Sequence, residues 1–423
     1  MSRISGTEHQ DICCALLGVI IDLPLPHHYN SKRAYNAVCG LLDFVYIAQL
    51  PEATDGTLNN LKAVLKRFHD NKKIFLDLGA RKHFNLPKIH ALAHYFDSIR
   101  LLGTADNFNT SYSERLHIDY AKLAWRASNR KDEYPQMTLW LQRREQIRTH
   151  EAYVRWRLAD RPAFEDIVQA PLPRAIKFKR TIVRYPNVKS LPFAKAETVY
   201  GTEGFEAKLN KWVLKTKNPT SSDRDIARAA PGYVLPCRSV SAYHRMKFWH
   251  KDALEREGDQ VPELPDSISA RPAYKDTQLR QMQGRFNTAL IDEYGKGGHI
   301  GVDGYRVGQV QLIFSLSEKA REKAFGANTA SVPKHLAYIQ WFTSFSRRGP
   351  EKHVDMYRVK RNIVDNEPLV SILPIDRIRR SVSLLPKYGP RIDPTWNSDN
   401  VLQKCQWFYV NSFSDKHAYL TIV

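Results

Sequence analysis

The chain has 423 residues, of which 43% are hydrophobic and 26% are charged. These proportions exclude a disordered chain, and no apolar run approaches the about 18 residues that a transmembrane helix needs. Lys and Arg number 64 against 44 Asp and Glu, and the resulting net charge of +20 favours a polyanionic partner, most often nucleic acid. A basic protein without such a partner is the alternative.

The first 160 residues show helical spacing of apolar side chains. Leu58, Leu61 and Leu65 recur at three- and four-residue steps, and Thr54 or Asp55 can cap the helix that they predict. Four further helices are predicted at 31–50, 88–102, 111–127 and 134–158.

Prolines recur from about residue 161 to 268, which predicts a connecting region with one helix at about 193–215. From about residue 269 the period becomes two, which is typical of strands. Strands are predicted at 305–314, 336–342, 356–359, 369–373, 381–385, 406–410 and 418–422. The predicted fold class is therefore α+β, with a helical half at 1–160, a connector at 161–268 and a small β-barrel or sandwich at 269–423.

The five cysteines are scattered, odd in number and without a CxxC spacing, so that free thiols are predicted and neither zinc nor a disulfide framework is indicated. His90 and His94 are four residues apart and share a helical face, but no Glu lies between them as in a zinc protease helix. Two packed helical histidines, a metal site and a DNA contact are the alternatives.

Acidic and basic residues alternate at the start of the helix predicted at 111–127. Arg115 and Asp119 are placed for a surface ion pair. Glu114 is a candidate carboxylate of a divalent-metal site for phosphoryl transfer, a chemistry that needs two or three carboxylates. An ordinary first-turn acid is the alternative.

A basic segment with interleaved aromatic residues extends from residue 143 to 189. It contains twelve Lys or Arg against five Asp or Glu, and Tyr153, Trp156, Phe178 and Tyr185 lie among them. Basic side chains bind phosphates and aromatic rings stack on bases, so this segment is predicted to contact DNA. A solvated helix face with buried aromatics is the alternative. Together with Arg115, the candidate DNA-contacting residues are Arg143, Arg144, Arg148, Arg155, Arg157, Lys177, Lys179 and Arg180.

Several words of the sequence, in order along nearly the whole chain, resemble the fungal Plavaka transposases of the CACTA and Kyakuja–Dileera–Zisupton assemblage. The words are SGTEH (5–9), LLDFVYIAQLP (41–51), FNLPKIHALAHYFDSIRLLGT (84–104), SERLHIDYAK (113–122), RASN (126–129), GYRVGQV (304–310), HLAYIQWFT (335–343), IRRSVSLLPKYGP (378–390) and NSFSDKHAYLTI (411–422).

The resemblance implies a DDE-type transposase with an RNase H-like core, which cuts and joins DNA through Mg²⁺ or Mn²⁺ in the nucleus. It also implies that the first two catalytic Asp residues lie upstream of this chain, which would be the C-terminal part of the family's protein. The family word has Glu where this chain has Ser111, and Glu114 is the surviving candidate catalytic and metal-binding acid.

The sequence thus predicts a truncated, catalytically incomplete DNA-binding remnant of a transposase that holds no metal stably. Its partners would be DNA and either the upstream transposase half or a chromatin protein. The alternatives are a protein-interaction module built on the C-terminal β domain, with Trp341, Phe342, Trp407 and Phe408 as contributors to an aromatic groove, and a relic without activity.

Overall fold

The computed structural model describes residues 6–26, 29–161, 180–248, 266–295, 297, 301–351 and 354–422. Their contacts divide the chain into two compact units. We call Asp43–Arg67 with Lys82–Ala175 the helical unit, and Met1–Leu42 with Phe68–Arg81 and Ile176–Val423 the mixed unit. None of the helices in the described ranges is long and apolar enough to cross a membrane.

The helices fall mainly in the first 160 residues. The α-helices are α1 (Gly6–Ile20), α2 (Ser31–Ala48), α3 (Asp55–Asn71), α4 (Ile74–Asp77), α5 (Pro87–Ala91), α6 (Tyr95–Leu102), α7 (Ser111–Leu116), α8 (Leu123–Ala127), α9 (Glu133–Leu158), α10 (Phe193–Tyr200), α11 (Phe205–Lys217), α12 (Asp223–Ala229), α13 (Glu318–Phe325), α14 (Val401–Lys404) and α15 (Lys416–Ile422). A π-helical turn, His117–Lys122, joins α7 to α8, and a 3₁₀ turn, Leu92–His94, joins α5 to α6.

The predictions for α2 and α9 are confirmed within two residues at each end, and the helix predicted around Leu58, Leu61 and Leu65 is α3. Helix α3 buries Leu58, Leu61 and Leu65, and its first turn is capped by Thr54, whose Oγ1 accepts the backbone N–H of Thr57 at 3.1 Å. The helices predicted at 88–102 and 111–127 are instead interrupted by the 3₁₀ and π turns. Apolar spacing does not distinguish such turns from a regular helix, because each changes the hydrogen-bond pattern by only one residue.

The strands are concentrated after residue 180. They are β1 (Arg180–Ile182), β2 (Val188–Pro192), β3 (Ser239–Tyr243), β4 (Arg245–Phe248), β5 (Asp266–Arg271), β6 (Tyr274–Lys275), β7 (Gln281–Met282), β8 (Arg285–Phe286), β9 (Thr288–Asp292), β10 (Tyr305–Ser315), β11 (His335–Trp341), β12 (Arg358–Val359), β13 (Ile363–Val364), β14 (Glu367–Pro368), β15 (Val370–Pro374), β16 (Ile378–Ser381), β17 (Leu384–Pro386) and β18 (Phe408–Val410).

A seven-stranded antiparallel sheet forms the centre of the mixed unit. Its main path is β15-β11-β10-β3-β2, and β9 pairs with both β10 and β16. All eleven residues of β10 are buried. One face of the sheet packs on α10, α11 and α13 through a cluster that includes Phe205, Phe314 and Tyr338. This mixed architecture, helical at first and sheet-forming afterwards, confirms the predicted α+β class.

A four-stranded sheet, β1-β4-β5-β8, contributes apolar side chains to a second cluster. Met246 and Ile268 of this sheet are fully buried with Val310 and Trp341 of the seven-stranded sheet. Within the described ranges the strands form open sheets and close no barrel, so a barrel is not the observed arrangement.

The region predicted as a connector has more regular structure than its prolines suggest. Its described residues, 180–248 and 266–268, hold β1 to β4, the start of β5, and three helices in place of the one predicted at 193–215. Pro192 is the last residue of the edge strand β2, a position where a missing N–H costs no ladder hydrogen bond. Pro192 therefore marks the end of a strand and not a structureless linker.

The strand predicted at 418–422 is wrong, because these residues form the end of helix α15. The Asp415 carboxylate accepts the backbone N–H of Ala418 at 2.8 Å and caps the helix. The same carboxylate accepts two hydrogen bonds from Nη2 of the buried Arg380, at 2.8 and 2.6 Å. Burial would raise the pKa of Asp415, but the Arg380 charge outweighs it and the pKa is lowered.

Two partly buried histidines of the mixed unit, His244 and His335, are expected to make its stability depend on pH. Burial lowers the pKa of His244, whose Nε2 lies 2.9 Å from the Tyr200 hydroxyl, and the charge of Arg271 lowers it further. Burial and then the charges of Lys334 and Arg321 likewise lower the pKa of His335. Below the ordinary pKa of 6.5 the unfolded chain binds more protons than the folded chain. The contribution of these two histidines to the free energy of unfolding is therefore fully present above pH 6.5 and is lost as the pH falls below it.

We therefore expect the urea midpoint of unfolding to decrease between pH 7.5 and pH 5.5. A variant with both His244→Gln and His335→Gln should show a shallower decrease, because glutamine does not titrate. Equal pH dependence in both proteins would show that these histidines do not carry the effect.

Candidate nucleic-acid interface

Helix α9 carries most of the residues predicted to contact DNA. It begins after a left-handed Asp132, and Gln136 joins its first turn to the preceding loop. The Gln136 side chain accepts from the Asn129 backbone N–H at 3.0 Å and donates to the Asn129 side chain at 2.8 Å. These two hydrogen bonds hold Asn129, the last residue of the RASN segment, against the start of α9.

Arg144 attaches α9 to the segment before it. Its Nη1 donates to the backbone carbonyl of Asp119, and its guanidinium lies 5.3 Å from the Trp140 ring centroid and 5.7 Å from that of Tyr120. A guanidinium that is committed to a carbonyl and two rings has a structural role in positioning the helix. The predicted DNA contact at Arg144 stays a prediction, with this role beside it.

The remaining arginines of α9 are exposed. Arg155 forms an i,i+4 ion pair with Glu151, and Arg157 lies 5.8 Å from the centroid of the Tyr153 ring. Arg143 and Arg148 form no ion pair with any residue in the described ranges. These two side chains are therefore the ones most available to an anion from solution.

No side chain of α9 is buried. Several of its apolar side chains are exposed, with Ile147 at 67%, Tyr134 at 74% and Leu158 at 83%. Tyr153 packs on its helical neighbours, with the Trp156 and His150 ring centroids at 5.8 and 6.5 Å. Helix α9 thus exposes both cations and aromatic rings to solvent, a combination that suits single- or double-stranded nucleic acid.

The candidate acid Glu114 lies in α7 and is exposed. Its Oε1 accepts from the Thr110 hydroxyl at 3.3 Å, while Arg115 pairs with Asp119 at 3.3 Å across the π-helical turn. The described residues contain no group of three or more His, Cys, Asp or Glu side chains placed to hold a metal ion. One carboxylate does not fit the donor set that Mg²⁺ or Mn²⁺ requires for phosphoryl transfer, so we derive no catalytic step from it.

His90 and His94 converge on each other. Their Nε2 atoms are 3.2 Å apart, the rings are edge-to-face, and both side chains are exposed. This distance suits a hydrogen bond between one protonated and one unprotonated nitrogen. The pair has no third ligand within the described part of the chain, in agreement with the absence of a metal group there.

The candidate residues at the end of the basic segment belong to the mixed unit. Lys177 and Lys179 lie outside the described residues. Arg180 is partly buried in β1 and its Nη2 donates to the carbonyls of Asp376 and Ile378, at 2.6 and 3.1 Å. Burial lowers the pKa of Arg180. These contacts give Arg180 a structural role in joining β1 to the segment before β16.

The aromatic residues proposed for a protein-binding groove are mostly core residues. Trp341, Phe342 and Phe408 are fully buried. Trp407 is half-buried, and the charged groups of Arg358 and Lys360 lie 4.3 and 5.1 Å from its ring centroid. A groove cannot be lined by side chains that the core already encloses, so three of these four residues do not form one.

Comparisons with protein-family models, with curated proteins and with solved structures found no match to this chain.

One group of exposed and half-exposed cations was not singled out from the sequence. Arg245, Lys247, Arg271 and Arg285 come from three strands of the four-stranded sheet and are separated by up to 40 positions. The signal in the sequence was an alternation of polar and apolar residues, as in Arg245-Met246-Lys247 and Ser269-Ala270-Arg271. Only the strand register reveals that these residues share a face.

Proposed function

We propose that this chain is a transposable-element-derived protein that binds DNA and is incomplete as a nuclease. The observation that carries the proposal is the exposed, basic and aromatic surface of α9, on which Arg143 and Arg148 have no acidic partner among the described residues. The net charge of +20 and the resemblance to Plavaka transposases support it. On this proposal the helical half at 1–160 corresponds to an insert and the last helix of an RNase H-like core, and the protein acts in the nucleus.

Binding through such a surface is independent of base sequence to a first approximation. Lys and Arg that neutralise phosphates release condensed counterions, so affinity falls with salt by about 0.9 log units per phosphate contact for each tenfold rise in concentration. Tyr153 and Trp156, beside Arg155 and Arg157 on the same helix, can add stacking on unpaired bases.

The test of this proposal is charge reversal on α9. We expect Arg143→Glu with Arg148→Glu to lower the affinity for a labelled DNA duplex by tenfold or more at low salt. The slope of log affinity against log salt concentration should become less steep by about two. The matched control, Lys82→Glu with Arg126→Glu, changes the net charge equally at two exposed residues of the same unit. Equal loss of affinity in both variants would mean that only total charge matters and would contradict a binding surface on α9.

We also expect the protein not to nick plasmid DNA with Mg²⁺ or Mn²⁺. The reason is chemical: a two-metal phosphoryl transfer needs more carboxylates than Glu114 alone supplies, and Ser111 stands where the resemblance implies a Glu. The measurement is conversion of supercoiled to open-circular plasmid over time. Metal-dependent nicking that disappears in Glu114→Ala would contradict the proposed incompleteness of the site.

A further inference from the structure

The four-stranded sheet of the mixed unit has one apolar and one polar face. Met246 of β4 and Ile268 and Ala270 of β5 point to the apolar face and are fully buried. Because successive side chains of a strand point to opposite faces, the residues between them lie on the other face. That second face is exposed or half-exposed at each of its described positions.

The strand register collects basic residues on this second face. Arg245 is opposite Ser269, and Lys247 is opposite both Ser267 and Thr181. Arg271, two residues beyond Ser269, is directly opposite Arg285 of β8. We call Thr181, Arg245, Lys247, Ser267, Ser269, Arg271 and Arg285 the cationic sheet face.

The charge on this face is not compensated by the sheet itself. Asp266, the acidic residue of β5, lies on the opposite face of the sheet. Its carboxylate accepts hydrogen bonds from the backbone N–H and the hydroxyl of Ser381, both at 2.7 Å. None of the four cations forms an ion pair with a described residue. Directly opposed like charges destabilise an antiparallel pair, so that Arg271 opposite Arg285 costs stability unless an anion lies between them.

The contacts that these cations do make are with neutral groups. Nη2 of Arg245 donates to the Ser267 hydroxyl at 3.0 Å, and the Arg271 guanidinium lies 4.2 Å from the centroid of the Tyr274 ring. Nε of Arg271 is buried and has no hydrogen-bond partner within the described ranges. The arginines are therefore oriented by a hydroxyl and a ring, while their charge remains available.

We propose that the cationic sheet face binds the phosphate backbone of duplex DNA. Guanidinium groups and serine and threonine hydroxyls are the usual donors to phosphate oxygens, and such contacts position a protein on DNA without reading its sequence. Adjacent strands are about 4.8 Å apart, so β4 and β8 place cations at about 10 Å from each other, which allows contacts to several phosphates. This inference rests on the proposed DNA binding but assigns it a second surface, in the other unit.

The experiment neutralises the three exposed cations of the face in the full chain. The sheet-face variant combines Arg245→Gln, Lys247→Gln and Arg285→Gln. The matched control variant combines Lys195→Gln, Lys211→Gln and Lys319→Gln, which change three exposed lysines of helices in the same unit. Affinity for a labelled random duplex is measured over a series of salt concentrations. Circular dichroism and thermal melting establish that each variant folds.

We expect the sheet-face variant to lose about tenfold or more in affinity at about 0.1 M salt and to show a salt dependence flatter by two to three log units. The control should change either quantity far less. If the intact chain binds duplex and the α9 variant is weakened, but the sheet-face variant behaves like its control, the sheet-face inference is overturned while the proposed function stands. If the intact chain binds no duplex, the proposed function and the sheet-face inference are both overturned, and an acidic protein becomes the class of partner to test.

Discussion

Replacing Asp415 with alanine is expected to lower the free energy of unfolding by about 3 kcal/mol. The substitution leaves the Arg380 side chain, which is 3% exposed, as an unpaired buried charge, a change that costs about 3–5 kcal/mol. It also removes the cap of α15. We expect the lower end of that range because the Asp415 side chain is 47% exposed, so that water already screens part of the interaction.

The measurement is unfolding in urea at pH 7. Asp303→Ala is the matched control, because Asp303 is an exposed acid of the same unit, and a surface change of this kind stays within about 0.5 kcal/mol. Asp415→Asn should fall between the two, since asparagine can cap the helix but does not pair with Arg380 as an anion. A decrease in unfolding free energy below 1 kcal/mol in Asp415→Ala would show that the ion pair with Arg380 does not stabilise helix α15.

Gly308→Val is expected to lower the free energy of unfolding by about 3 kcal/mol. Gly308 lies in the buried middle of β10, opposite Trp341 of β11 and Ala289 of β9. A Cβ atom at this position would overlap Cγ2 of Ile339 and approach Cδ1 of Ile291 to 2.9 Å. Overpacking of a filled core costs about 1–3 kcal/mol, and valine adds two further methyl groups.

The overlap with Ile339 allows a double-mutant test of the cause. Ile339→Ala alone creates a cavity, but in the Gly308→Val background it also removes the clash. The loss of unfolding free energy in the double variant should therefore be smaller, by about 0.5–3 kcal/mol, than the sum of the losses in the two single variants. Gly232→Val serves as the control, because nothing lies within 4 Å of a Cβ atom there. Strict additivity would mean that steric overlap is not the cause.

Much of the regular structure could be predicted from periodicity. The Leu58, Leu61 and Leu65 spacing predicts α3, because these three side chains face the core. The β-prone run at 305–314 predicts β10, which is buried on both of its faces. The residues 418–422 show the limit of this reasoning. Their apolar alternation is compatible with a short strand, and the helix depends on the Asp415 cap and on the distant Arg380.

The candidate interface was predictable only in part. The exposure of Arg143 and Arg148 agrees with a solution-facing basic segment, whereas the structural contacts of Arg144 and Arg180 depend on carbonyls at residues 119, 376 and 378. Charge counting along the sequence cannot separate these two kinds of arginine. It also misses the cationic sheet face, whose residues become neighbours only through strand pairing.

The central claim is that the basic residues are organised into surfaces that bind DNA. Its most direct test is fluorescence anisotropy of a labelled random duplex with the full chain, repeated at several salt concentrations. We predict binding at low salt, with log Kd rising linearly with log salt concentration and a slope that corresponds to several released counterions. Absence of binding at low salt would contradict the account, because it would mean that the net charge of +20 forms no DNA-binding surface.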